Sequence, residues 1–143
     1  MSISNTARTF NHIIGEINAA FHETALKFGL SDSAMGILYA LSMEEGRCQI
    51  SDICNISCLP KQTVNSALRK LEREGIIGME SADGKKKIVF LTEKGRILAD
   101  KTAKRILEIE DEIYARWSDA DREKYIDLSR RYLNELKEKT QKL

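Results

Sequence analysis

The residues best suited to chemistry in this 143-residue chain stand in one run, LPKQTVNSALRKLEREG, from Leu59 to Gly75. They do not form a catalytic set. They are amides, hydroxyls and cations: Lys61, Gln62, Thr63, Asn65, Ser66, Arg69, Lys70 and Arg73. At about 100° per residue, Val64, Ala67, Leu68 and Leu71 share one side of a helix, and Gln62, Asn65, Ser66, Arg69 and Arg73 share the other. The apolar side would face a core. The outer side offers donors and acceptors that suit base edges and phosphates in a DNA major groove, with few carboxylates to repel them. Pro60 suits the first helical position, where a missing N–H costs nothing. Gly75 suits the position just past the last turn.

The charge around this helix is uneven. Residues 59–105 hold twelve Lys/Arg against six Asp/Glu, a local charge of +6, while the rest of the chain is at −5 and the whole at +1. A basic middle between acidic ends implies a local site for a polyanion. The segment lacks the Trp/Phe/Leu face of a membrane-surface helix.

The remaining elements must position that helix. Phe10, Ile13, Ile14, Ile17, Phe21 and Ala25 recur at helical spacing over residues 4–28, with Ser4 or Asn5 as cap and Gly29 as stop. Ser31–Ser42 predicts a second helix with Met35, Leu38 and Leu41 inward. Arg47–Gln49 reads as a short strand, and Ile50–Asn55 as a brief helix with Ile50, Ile53 and Cys54 inward. Two short helices in succession, the second polar and basic outward, follow the helix-turn-helix plan. After Gly75 the period changes. Residues 76–80 and 86–91 are strand-like, and Asp83-Gly84 between them signals a hairpin turn. Lys85, Lys86 and Lys87 stand at and just after its tip. One lysine would protect an edge strand; three beside a basic helix suit phosphates.

Thr92 is expected to cap one long helix running to about Trp117, with Leu98, Ile106, Ile109, Ile113 and Trp117 on its apolar side. Ser118 then starts a last helix carrying Tyr125, Leu128, Tyr132, Leu133 and Leu136. The fold class expected is mainly α: a winged helix-turn-helix over 31–91 with a small β-hairpin wing, and helical extensions over 1–28 and 92–143. The extensions carry more apolar surface than one such module covers, which predicts a homodimer.

The combination of PKQTVNSALRKLEREGII, a hairpin and FLTEKGRIL resembles the MarR family of bacterial transcriptional regulators over nearly the whole chain. That resemblance implies a dimeric winged-helix protein on pseudo-palindromic double-stranded DNA, in many members released by a small aromatic or amphipathic ligand and in others by cysteine oxidation. Carried over by position, it implies that Lys61, Gln62, Thr63, Asn65, Ser66, Arg69 and Lys70 are recognition-helix contacts. Geometry favours Gln62, Asn65, Ser66 and Arg69 for bases and Lys61, Thr63 and Lys70 for phosphates. The family's common Asp-x-Arg in the wing is here Asp83-Gly84-Lys85. Lysine cannot make arginine's planar bidentate contact, so the wing is expected to touch phosphates.

Three cysteines in a chain without a signal-peptide pattern or an apolar run of about 20 residues argue for a cytoplasmic protein with no disulfide framework and no membrane partner. Cys58, just before the recognition helix, is the candidate redox position, on the argument that a helix N-terminus activates a thiol. Cys48 and Cys54 read as packing. The spacing of Cys48, Cys54 and Cys58, and of His12 and His22, fits no usual metal pattern. No catalytic set or phosphate loop appears, so neither an enzyme nor a cofactor is expected. The alternative to a DNA-binding regulator is a winged-helix interaction module whose basic face meets an acidic protein.

Overall fold

A computed structural model describes residues 1–84 and 86–143. In chain order the elements are α1 (Ile3–Lys27), α2 (Asp32–Met43), β1 (Arg47–Gln49), α3 (Ile50–Ser57), α4 (Lys61–Arg73), β2 (Ile77–Ala82), β3 (Lys86–Leu91), α5 (Glu93–Lys101), α6 (Ala103–Ala115) and α7 (Asp119–Thr140). The chain divides into two compact units, Met1–Ile106 and Leu107–Leu143.

In the first unit α2 is the central helix. It contacts α1, α3, α4 and α5. Met35, Leu38 and Leu41 are buried as their spacing predicts, and Ile37 and Ala40 are buried as well. A helix packed on several sides buries more than one stripe. Ile37, Leu38, Leu41, Ile53, Val64, Leu68 and Val89 are the largest fully buried side chains. They come from α2, α3, α4 and β3, so one core unites the two helices of the helix-turn-helix with the sheet. Ser31 caps α2 by accepting the Ala34 N–H at 3.1 Å. Ser2, rather than Ser4 or Asn5, caps α1 and accepts the Asn5 N–H at 3.3 Å, so that helix starts two or three residues earlier than those caps would set. Its apolar residues Phe10, Ile13, Ile14, Ile17 and Phe21 are exposed.

The sheet is antiparallel in the order β1-β3-β2. β3 falls on residues 86–91 as expected, but β2 runs on to Ala82, because Ser81 and Ala82 pair with Lys87 and Lys86. Asp83 and Gly84 both have positive φ, 48° and 77°, the backbone that a tight hairpin requires and that Asp-Gly tolerates. Gly78 pairs with Phe90, and a Cβ on it would lie 2.3 Å from the Phe90 ring. The ring lies over the glycine, a packing that any side chain would displace. Arg47 of β1 makes an ion pair with Glu80 of β2 across the intervening strand.

The long helix expected from Thr92 to Trp117 is two helices. Thr92 does cap the first, accepting the Gly95 N–H at 3.0 Å. The break falls at Thr102, whose φ and ψ are −125° and −91°. Its hydroxyl donates to the Leu98 carbonyl at 2.8 Å, and its N–H turns to Ala99 at 3.2 Å. A threonine hydroxyl bonded back to the i−4 carbonyl competes with the backbone ladder and bends helices. The apolar spacing continues through the break, so periodicity alone shows one helix.

The second unit holds the rest of α6, a turn and α7. Ser118 caps α7 by accepting the Asp121 N–H at 3.1 Å. The Arg122 guanidinium donates to the Tyr114 and Trp117 carbonyls at 2.7 and 2.6 Å and pairs with Asp119. Tyr114, Trp117 and Tyr125 close the turn, with Trp117 edge-on to each tyrosine at 5.3 Å between ring centroids. Among the described residues, no helix is long and apolar enough to cross a membrane.

Candidate nucleic-acid interface

α4 carries its inner and outer faces as its spacing predicts. Val64, Leu68 and Leu71 are buried and Ala67 is half-buried; Lys61, Gln62, Ser66, Arg69, Lys70 and Arg73 are exposed. Asn65 and Thr63 sit at the margins, half-buried. The helix begins at Lys61, with Pro60 one residue ahead of the first turn. Its end is a Schellman arrangement. Gly75 has a φ of 76°, and the Ile76 N–H reaches back to the Leu71 carbonyl at 2.9 Å. The helix is thus anchored along its length by the core and at its end by a backbone motif, which holds its outer side chains on a rigid support.

The sheet completes the surface. Lys61, Gln62, Asn65 and Arg69 of α4 line an open cleft of about 580 Å³ with Lys87 of β3, over an apolar floor of Ile50, Leu68 and Met79. Beside it, a second concavity of about 540 Å³ joins Lys61, Asn65, Lys86 and Lys87 to Ser51 and Asn55 of α3. No described carboxylate lines either one. On the far side of α4, Gln62, Thr63, Ser66 and Lys70 share a shallow groove with Ser31 and Ser33 at the start of α2. Cations, amides and hydroxyls therefore ring the exposed helix. Such a surface can accept phosphates through lysines and read base edges through amides and guanidinium.

Nine of the ten residues singled out from the sequence for nucleic-acid contact lie on this surface: Lys61, Gln62, Thr63, Asn65, Ser66, Arg69, Lys70, Lys86 and Lys87. Lys85 lies outside the described residues. The same concavities also take in Ser31, Ser33, Ser51 and Asn55, which the sequence did not single out for contact. They sit on α2 and α3, where nothing in the local pattern separates a site residue from an ordinary helix-start serine or solvated asparagine.

Cys58 does not occupy the N-terminal turn of α4. It is the left-handed C-cap of α3, with φ 55°, and its thiol donates to the Asn55 carbonyl at 3.6 Å. The thiol faces the carbonyl end of one helix, and α4 starts three residues later, so the helix N-terminus argument for its reactivity does not apply. Cys48 is buried against the core, and burial, followed by Asp52 and Glu44, pushes its pKa up to about 11. Among the described residues no three His, Cys, Asp or Glu side chains converge as metal ligands would.

Residues 28–86 match a family model described as MarR family. No curated protein sequence matches the chain. Solved structures do. NMB1585, a MarR family regulator from Neisseria meningitidis, is 26% identical with a TM-score of 0.75, over 94% of this chain and 95% of that one. The S. aureus MepR–DNA complex is 21% identical with a TM-score of 0.65, over 95% and 98%. BpsR of Bordetella bronchiseptica, whose DNA binding is regulated by 6-hydroxynicotinic acid, is 18% identical with a TM-score of 0.62, over 87% and 98%. These likenesses extend well beyond the segment that the family model matches.

Proposed function

The winged-helix segment of this chain, residues 28–86, belongs to the MarR family, and from that premise we propose that the protein is a sequence-specific DNA-binding transcriptional regulator and not an enzyme. The observation that carries this reading is the cleft shared by Lys61, Gln62, Asn65 and Arg69 of α4 with Lys87 of the wing. In this reading α4 enters the major groove. Gln62, Asn65, Ser66 and Arg69 meet base edges, while Lys61, Thr63 and Lys70 meet phosphates. Lys86 and Lys87 meet the phosphates of the adjacent backbone, and the sequence adds Lys85 to them as a third cation.

The regulator acts in the cytoplasm as a homodimer on a pseudo-palindromic operator. The exposed apolar residues of α1 in the first unit, and separately those of α6 and α7 in the second, support self-association. It represses until a small aromatic or amphipathic ligand binds; the regulation of BpsR by 6-hydroxynicotinic acid supports a ligand of that class. Selection of bound duplexes from a random pool tests the whole reading. The expected result is an inverted repeat with half-site centres about 10 base pairs apart or a multiple of that. Recovery of unrelated sequences, with no enrichment over several rounds, would remove sequence-specific DNA binding.

A further inference from the structure

The first turn of α5 grips the carbonyl end of α4. The Lys94 ammonium donates to the carbonyl of Glu74, the C-cap residue of α4, at 2.8 Å. The Thr92 hydroxyl donates to the Gly75 carbonyl at 2.6 Å and lies 3.1 Å from that of Ile76, while the Thr92 N–H also donates to Ile76 at 3.1 Å. Gly95 lets the two backbones touch: a Cβ there would lie 1.9 Å from the Ile76 carbonyl oxygen. Three successive carbonyls, 74 to 76, are thus bound by Thr92 and Lys94. The last carbonyls of a helix have no partner within it, and a cation near them is favoured by the helix dipole.

We propose that Lys94 and Thr92 are positioning residues for DNA reading: they hold the end of α4, and with it Arg69 and Arg73, without touching DNA. The proposal rests on the DNA-binding reading above. It also separates Lys94 from Lys61, Lys70, Lys86 and Lys87, whose charges meet phosphates in that reading. The two roles have different signatures. A lysine that neutralises a phosphate contributes about 0.9 to the slope of log affinity against log salt, equally for any duplex. A lysine that fixes the helix leaves that slope alone and alters discrimination between duplexes.

Lys94→Met keeps the aliphatic stem and removes the donor. In the full chain it should weaken binding to the selected duplex about three- to tenfold, the ordinary net contribution of one solvent-exposed hydrogen bond to the helix end. Binding to a scrambled duplex and the salt slope should stay as in wild type. Thr92→Val should act in the same direction, and Thr92→Ser should restore most of the loss. An equal loss on both duplexes with a flatter slope would make Lys94 a phosphate contact and overturn the proposal, as would no loss at all.

Amide hydrogen exchange judges the same contact without DNA. Glu74, Gly75 and Ile76, whose N–H groups bond to the Lys70, Glu72 and Leu71 carbonyls, should exchange faster in Lys94→Met. Unchanged exchange would overturn the latch. Should the wild type ignore every duplex, the DNA-binding reading fails, and these amides alone decide whether the latch exists.

Discussion

α4 and α7 are both amphipathic in sequence, yet their apolar sides meet different fates. Val64, Leu68 and Leu71 of α4 are at most 3% exposed. Leu128, Leu133 and Leu136 of α7 are 44–52% exposed, and Phe10 to Phe21 of α1 resemble them at 38–48%. An apolar stripe at helical spacing states that something covers it, not what does. For α4 the cover is the core of the same chain. For α1 and α7 the proposed cover is a second copy.

Leu68→Ala tests the buried half of that contrast and should have the largest effect. It removes a fully buried side chain, so stability should fall by about 2–5 kcal/mol. Urea unfolding should report the same loss at every protein concentration. Leu133→Ala should cost less, and its cost should shrink as the protein is diluted, because the lost contact no longer matters once both proteins are monomers. A concentration-independent loss for Leu133→Ala would place its cover within the chain.

Leu133→Glu and Ile17→Glu sharpen the other half. Each puts a charge on an exposed stripe and should leave the helical circular dichroism intact. Sedimentation at micromolar concentration should show monomers where the wild type shows dimers. Dimers that survive both changes would point to another interface.

The outward faces differ as well. Arg69→Ala should weaken binding to the selected duplex by about 1–3 kcal/mol and relax preference at one base position. Equal losses on specific and scrambled duplexes would remove Arg69 from base reading. Lys86→Ala with Lys87→Ala should lower affinity evenly across sequences and flatten the salt slope by about 2, at about 0.9 per phosphate. An unchanged slope would detach the wing from the backbone.

The smallest effect concerns the core beside the wing. Cys48 is raised from 9.0 to about 11 by burial and by Asp52 and Glu44. Its thiol therefore keeps its proton more tightly in the folded chain than in the unfolded one. Its stabilising contribution is complete below about pH 9 and is lost as pH rises towards 11. Wild type should lose stability relative to Cys48→Ala across that window. Parallel curves for the two proteins would show that the thiol is not held protonated by the fold.

Much of this contrast is legible in the chain before folding. Ser31, Thr92 and Ser118 act as helix caps, and Gly75 adopts the positive φ its place predicts. These features depend on the nearest few residues. Ser51 and Asn55 reach the cleft because α3 lies beside the wing, and no local spacing announces that. The break at Thr102 was hidden for a related reason. The apolar period runs through it unbroken, and the competing hydroxyl bond is one of several that a threonine can make.

The sequence by itself determined which faces are apolar, where α2, α5 and α7 start, and that one helix presents amides and cations outward. Those outcomes follow from side-chain type and backbone period, which act over a few residues. Only the tertiary structure decided that Lys87 stands across the cleft from Arg69, that Phe90 lies over Gly78, and that Lys94 reaches Glu74. Each joins residues at least 12 apart in the chain. Such meetings depend on how the core packs α4 against the sheet and α5, and close packing admits few arrangements of the same faces.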